Sequence, residues 1–243
     1  MPAKPRSAKN APPAQPEECP KCHGYGYVIE VATNTARPCD CPAYHELTLR
    51  RRQTSAGVPP RFSAKTFENF VVPKGDADLE RVLAVAKSYA TGFHRGETSG
   101  ILMRGVPGCG KTHLAAAVLQ VVIRRGFTGR FENFSDLLSN IRNTFNKGSD
   151  VTEGDLLDVV DDVDLLVLDD LGAEMTSDFV RDRLYLILNR RYDNNRPVII
   201  TTNCDEHELS ARVGERTASR LCEMCDVPFP AFPKVDWRRK NMH

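Results

Sequence analysis

The stretch Gly105-Val106-Pro107-Gly108-Cys109-Gly110-Lys111-Thr112 decides the fold. The apolar run Ile101-Leu102-Met103 precedes it, and residues 113–124, nearly all Ala, Leu, Val and Ile, follow it. Apolar strand, G-x-x-x-x-G-K-T and apolar helix, in that order, read as a phosphate-binding loop in its proper context. Glycines let such a loop turn its backbone N–H groups onto phosphate oxygens, and the next helix adds its N-terminal dipole. Gly105, Pro107, Gly108, Cys109, Gly110, Lys111, Thr112 and His113 are the candidate nucleotide-binding set. Lys111 is expected on the β and γ phosphates and Thr112 on Mg²⁺. The motif alone does not separate ATP from GTP, and Cys109, at a variable position, is assigned no chemistry of its own.

Outward from the loop the chain alternates. Apolar residues from Leu79 to Phe93 recur at helical spacing, with Asp76 or Asp78 as a cap. Strands are expected at 101–103, 130–134, 165–168 and 198–201, and helices at 113–124, 136–145, 152–160, 177–192 and 215–225. A weaker strand is expected at 227–232, placed at an edge by its two prolines. Strands alternating with helices of ten to fifteen residues imply an α/β fold with a mostly parallel sheet covered on both faces.

A second acidic motif, Leu165-Leu166-Val167-Leu168-Asp169-Asp170, is an apolar strand ending in two carboxylates. Strand carboxyl ends face the ligand crevice of such sheets. Asp169 is expected in the Mg²⁺ shell and Asp170 as the group that polarises the attacking water, with Glu174 as a weaker substitute. Asn203 closes the apolar strand Val198-Ile199-Ile200 and would sit near the γ-phosphate, although Asn also ends strands for turn reasons. Arg216 and Arg220 lie four apart on one helical face. They are either a positive finger for a neighbouring subunit's phosphoryl group or a salt-bridging surface.

Lys+Arg number 33 against 32 Asp+Glu, so net charge neither supports nor excludes a nucleic-acid partner. No apolar run is long enough to span a membrane, and the basic N-terminus has no hydrophobic segment behind it. A cytoplasmic, reducing location is expected, where the eight cysteines are thiols or metal ligands rather than disulfides. Residues 1–16, rich in proline, read as a disordered leader. Residues 17–45 read as a metal module, 46–60 as a basic linker ending at Pro59-Pro60, and 61–243 as the ATPase core. Cys19-x₂-Cys22 and Cys39-x-Cys41 suit a structural, tetrahedral Zn²⁺ whose binding would fold a segment with little core of its own. The one-residue gap of the second pair leaves His23 and His45 as substitute ligands. Cys222 and Cys225 read as packing residues of a helix.

Taken together, these residues resemble the DnaC-type helicase loaders, AAA+ relatives of the replication initiator DnaA and of the IstB transposition helper ATPases, over residues 19–232. The resemblance rests on Pro59-Pro60-Arg61-Phe62 followed by Thr66-Phe67-Glu68-Asn69-Phe70, and on the loop 105–112. It rests also on Leu168 through Glu174, Asn189-Arg190-Arg191-Tyr192, Gly214-Glu215-Arg216 and Ser219-Arg220-Leu221. It implies a P-loop AAA+ three-layer sandwich behind a small zinc-binding module. Residues 105–112 match Walker A, Asp169 and Asp170 match Walker B, and Asn203 matches sensor 1. Arg220 matches the trans arginine finger, with Arg216 its competitor. Asp170 stands where many AAA+ proteins have Glu. The chain ends about eleven residues after the last expected strand. It is therefore expected to have no C-terminal lid and no sensor 2 arginine, like loaders of this family.

The resemblance implies an ATP-dependent loader, with ATP/ADP, Mg²⁺ and Zn²⁺ as ligands. Its partners would be a hexameric replicative helicase of the DnaB type, single-stranded DNA and further copies of itself. Hydrolysis would be slow and dependent on assembly or DNA. The alternative is an IstB-like transposition helper ATPase that binds and remodels duplex DNA. A nucleotide kinase would need a second substrate pocket, and a non-catalytic ATP-binding adaptor would not need the Asp169-Asp170 pair. The basic tail Lys234-Val235-Asp236-Trp237-Arg238-Arg239-Lys240 reads equally as a DNA-phosphate contact or a solvated terminus.

Overall fold

The computed structural model describes residues 19–23, 25–30, 33–146, 150–173 and 177–240. The expected leader and Glu174 lie outside them. The chain divides into two units, residues 1–51 and 52–243. In the first, β1 (Tyr27–Glu30) and β2 (Thr35–Pro38) pair antiparallel, Tyr27 opposite Pro38 and Glu30 opposite Thr35. Helix α1 (Pro42–Ser55) follows. The segment expected as a basic linker, residues 46–60, is helical through Ser55, and Pro59 has ψ 146°.

In the second unit the order is α2 (Pro60–Ser63), α3 (Ala77–Gly92), β3 (Ile101–Arg104), α4 (Lys111–Arg124), β4 (Gly129–Asn133), α5 (Phe134–Asn143) and α6 (Glu153–Asp161). Then come β5 (Leu165–Leu171), α7 (Asp178–Asp193), β6 (Val198–Thr202), α8 (Glu206–Val213), α9 (Glu215–Met224) and the single turn α10 (Trp237–Lys240). The sheet order is β3-β6-β5-β4, and every pairing is parallel. Leu166, Leu168, Val198 and Ile200 face a core built with α5 to α9, among them Leu138, Ile141, Leu184 and Leu188. The alternate residues Leu165, Val167 and Ile199 are equally buried on the opposite face, because successive strand side chains point to opposite sides. There α4 packs across β4, β5 and β6, with Leu114 through Leu119 buried. This three-layer α/β sandwich is the AAA+ P-loop fold.

Helix starts follow local chemistry. Asp76, not Asp78, caps α3 by accepting from Leu79 N at 3.0 Å. Thr152 with Asp155 and Asp205 with Glu208 form reciprocal capping boxes on α6 and α8. The strand expected at 227–232 is absent: residues 226–236 form no ladder and bend at 227 and 234, and Pro228 and Pro230 have no N–H to donate. No helical lid follows α9 among the described residues, and none of the described helices is long and apolar enough to cross a membrane.

Candidate functional site

The loop 105–110 joins the buried strand β3 to the N-terminus of α4, so it opens at the carboxyl edge of the sheet. Gly108 (φ +77°) and Gly110 (φ +108°) take backbone angles that side chains resist. A Cβ on Gly110 would lie 2.7 Å from the Phe70 ring, so the loop has no room there for another residue type. Lys111 is only 6% exposed. Its ammonium donates to Gly105 O (2.7 Å), Val106 O (2.9 Å) and Asn203 Oδ1 (2.8 Å), while burial pushes its pKa down. Cys109 Sγ lies 3.7 Å from Lys111 Nζ, and burial pushes the thiol's pKa up. His113 turns away from the loop: its Nε2 is 2.8 Å from Thr66 O and its ring meets Phe70 edge-on.

The carboxylates complete a connected network. Thr112 Oγ1 donates to Asp169 Oδ1 at 2.9 Å, and Thr201 Oγ1 donates to the same oxygen at 2.6 Å. Burial pushes the Asp169 carboxyl up, and those two hydroxyls oppose the shift. Asp170 N donates to Thr201 Oγ1, and Asn203 Nδ2 donates to Asp170 Oδ1 at 2.7 Å. Asn203 therefore bridges Lys111 and Asp170, the loop cation and the second acid. A cavity of about 680 Å³ covers these groups, lined also by Arg61, Phe70, Asn133 and, from the tail, Trp237 and Arg238. That volume suits a nucleotide-sized ligand. A glycine-rich loop at a helix N-terminus, a buried ammonium and a Thr–Asp pair suit a polyphosphate with a divalent cation.

The structure brings Pro107, Gly108, Cys109, Gly110, Lys111 and Thr112 together with Asp169, Asp170 and Asn203 around the cavity; Gly105 does not line it, and the His113 ring is taken up by Thr66 and Phe70. Arg216 and Arg220 do not join them: neither lines this cavity. Both stack on tyrosines of α7 instead, Arg216 4.2 Å from the Tyr185 ring centre and Arg220 3.8 Å from that of Tyr192. Thr201 and Asn133 were given no role by sequence reading, and Trp237 and Arg238 were read as a DNA-phosphate contact or a solvated terminus, not as part of this cavity. For Thr201 a signal existed, its place on the same strand end as Asn203.

In the first unit Cys19, Cys22, Cys39 and Cys41 place their sulfurs within 4.8 Å of one another. Cys19 lies 3.8 Å from Cys39, and Cys22 lies 3.8 Å from Cys41. Tetrahedral Zn–S bonds of about 2.3 Å would set sulfurs roughly 3.8 Å apart, so the four thiols fit that ion. His23 and His45 are not in the group. Backbone N–H groups of Cys22 and Lys21 bring the Cys19 thiol down to about 7, whereas burial pushes the Cys39 thiol up to about 12. Gly26 (φ +77°) lies beneath the Tyr44 ring, which a Cβ would strike, and Tyr44 N donates to Cys41 Sγ at 3.4 Å.

The family profile described as IstB-like ATP binding protein matches residues 51–221. The replicative helicase loader DnaC of Buchnera aphidicola subsp. Baizongia pistaciae is 30% identical over 175 residues, 72% of this chain and 70% of that protein. A crystal structure of the DnaC helicase loader superimposes with a TM-score of 0.64 at 30% identity, covering 72% of this chain and all of that one. The replication initiator DnaA bound to AMPPCP and single-stranded DNA gives 0.56 at 25% identity, over 68% of this chain and 48% of that one.

Proposed function

The chain belongs to the IstB-like ATP binding protein family, and from that premise we propose that it is an ATP-driven loader of a hexameric replicative helicase onto single-stranded DNA. The observation that carries this reading is the relationship to DnaC, 30% identity over 70% of that protein's length. The connected set Lys111–Asn203–Asp170 and Thr112–Asp169 supports ATP as the energy source. In this reading the amides of 105–112 and Lys111 bind the triphosphate. Thr112 and Asp169 would hold Mg²⁺, which neutralises charge on the β and γ oxygens. Asp170 orients the attacking water, and Asn203 reports to Lys111 whether the γ-phosphate is present. Arg220, with Arg216 beside it, serves the neighbouring subunit, and its absence from the lining of its own chain's cavity supports that assignment. The zinc module at 17–45 docks on the helicase. Single strands are held through their backbone, without sequence readout.

The family's own description favours a second reading, an IstB-type helper acting on duplex DNA with a transposase. Light scattering after size exclusion separates the two. The protein is mixed with its host's replicative helicase under ATP, ADP or no nucleotide. A stable complex is expected, strongest with ATP, and lost on chelation of zinc or in Cys22→Ser. Absence of a complex in every nucleotide state, with tight duplex binding instead, selects the second reading.

A further inference from the structure

The last described segment of the chain lies on the phosphate loop. Phe232, 5% exposed, packs on Gly105, where an added Cβ would come within 3.0 Å of its own Cβ. It stacks on Phe229 at 5.8 Å, and the prolines at 228, 230 and 233 stiffen this stretch. Four residues on, Asp236 sits so close to Gly108 that a Cβ there would overlap its carboxylate. Trp237 N donates to Gly108 O at 3.3 Å. Asp236 Oδ1 accepts from Arg238 N at 3.0 Å, which opens the turn of α10. The result is a tail anchored twice on the loop, at Gly105 and Gly108, with Trp237 and the exposed Arg238 lining the same cavity as Lys111, Asp169 and Asp170.

A cation at that place has a chemical reason. Lys111 is buried and already committed to two carbonyls and Asn203. The same cavity holds the carboxylates of Asp169 and Asp170, which repel a triphosphate, and Arg238 joins Arg61 and Lys65 among the cations that line it. Arg238 is carried by a turn that is tied to the loop itself, so it follows the loop wherever the phosphates draw it. A planar guanidinium can grip a phosphate oxygen pair with two parallel N–H bonds.

We propose that Arg238 is a polyphosphate-binding residue of this chain's own nucleotide site, held there by the Phe232–Trp237 tail anchored on Gly105 and Gly108. This inference rests on the ATP reading above and adds to it a cis cation supplied by the C-terminal tail rather than by a lid.

Trp237 is the only tryptophan in the chain, so its emission reports the tail directly. ATP with Mg²⁺ is titrated into the full-length protein, and binding is followed by calorimetry and by tryptophan fluorescence. The two midpoints should coincide. Arg238→Ala should weaken ATP about tenfold, Arg238→Lys, which keeps the charge but not the two parallel N–H bonds, should restore only part of the loss, and AMP should bind both forms alike. Arg238 is exposed, so these variants should melt like the parent. ATP binding that is unchanged in Arg238→Ala, with a silent Trp237, overturns the proposal and leaves the nucleotide site standing. The same result joined to weakened single-stranded DNA binding reassigns the tail to DNA. If the parent binds ATP no better than Lys111→Ala, the nucleotide reading fails and this inference with it.

Discussion

Asp170 has φ +62°, a left-handed backbone that costs a non-glycine residue about 1 kcal/mol. The ladder between β5 and β6 shifts register between Leu168 and Leu171, so the strand bulges at the two acids. The consequence is directional: adjacent strand residues would normally point to opposite faces, yet Asp169 and Asp170 both line the cavity. The motif of two acids after an apolar strand was legible in the sequence. The bulge that aims both of them was not, because it depends on pairing with β6 and on the Thr201 hydroxyl that accepts from Asp170 N. Asp170→Asn keeps the shape and an oxygen for Asn203 but removes the carboxylate. Calorimetry should find ATP affinity within a few-fold of the parent. Single-turnover hydrolysis, stimulated by whatever partner activates the parent, should fall by about 100-fold or more. Near-parental turnover would move the water-orienting role elsewhere.

Elements were read well where one signal dominated and poorly where two competed. The apolar runs at β5 and β6 and the apolar helix α4 were plain, because burial on both faces leaves few polar positions to confuse them, and β3 was plain from its three apolar residues before the loop. Helix α1 was taken for a linker, since its Arg and Thr residues show no apolar stripe. Helix α8 was missed although Asp205 and Glu208 spell its capping box. The family-like run Asn189-Arg190-Arg191-Tyr192 carried no role in the sequence. In α7, Arg191 proves to be wholly buried, donating to the carbonyls of Val160, Asp161, Val163, Asp164 and Pro197. It ties the end of α6 and the entries to β5 and β6 into one layer, and although burial lowers its pKa to about 9 it stays charged at neutral pH. Arg191→Met fills part of the space but orphans those carbonyls. It should destabilise the protein by about 3 kcal/mol, lowering the melting midpoint by roughly 10 °C. Circular dichroism on heating checks this, and a midpoint within a degree or two of the parent would show that the carbonyls find other donors.

At the scale of the molecule, the ATP cavity and the arginine pair lie apart in a single chain, and that separation is what composition and periodicity could not reveal. The stacking of Arg220 on Tyr192 and of Arg216 on Tyr185 holds both guanidinium groups against α7. Tyr192 is itself fixed by its hydroxyl, which donates to Glu223 Oε1 at 2.5 Å. Arginines so arranged do not line their own chain's cavity, and a second copy could receive them. A mixing experiment follows from this geometry. Lys111→Ala supplies finger but no working loop, and Arg220→Ala supplies loop but no finger; each alone should be nearly inactive under stimulating conditions. In an equimolar mixture half of the loops are intact, and half of those face an intact finger, so roughly a quarter of the parental turnover should return. Recovery of that order means that hydrolysis is made between subunits and that Arg220 is the group that crosses. Full turnover by Arg220→Ala on its own, with about half of it in the mixture, passes the role to Arg216. Inactivity of the mixture together with both parents inactive places Arg220 in the folding of its own chain, a possibility that the melting midpoint of Arg220→Ala decides directly.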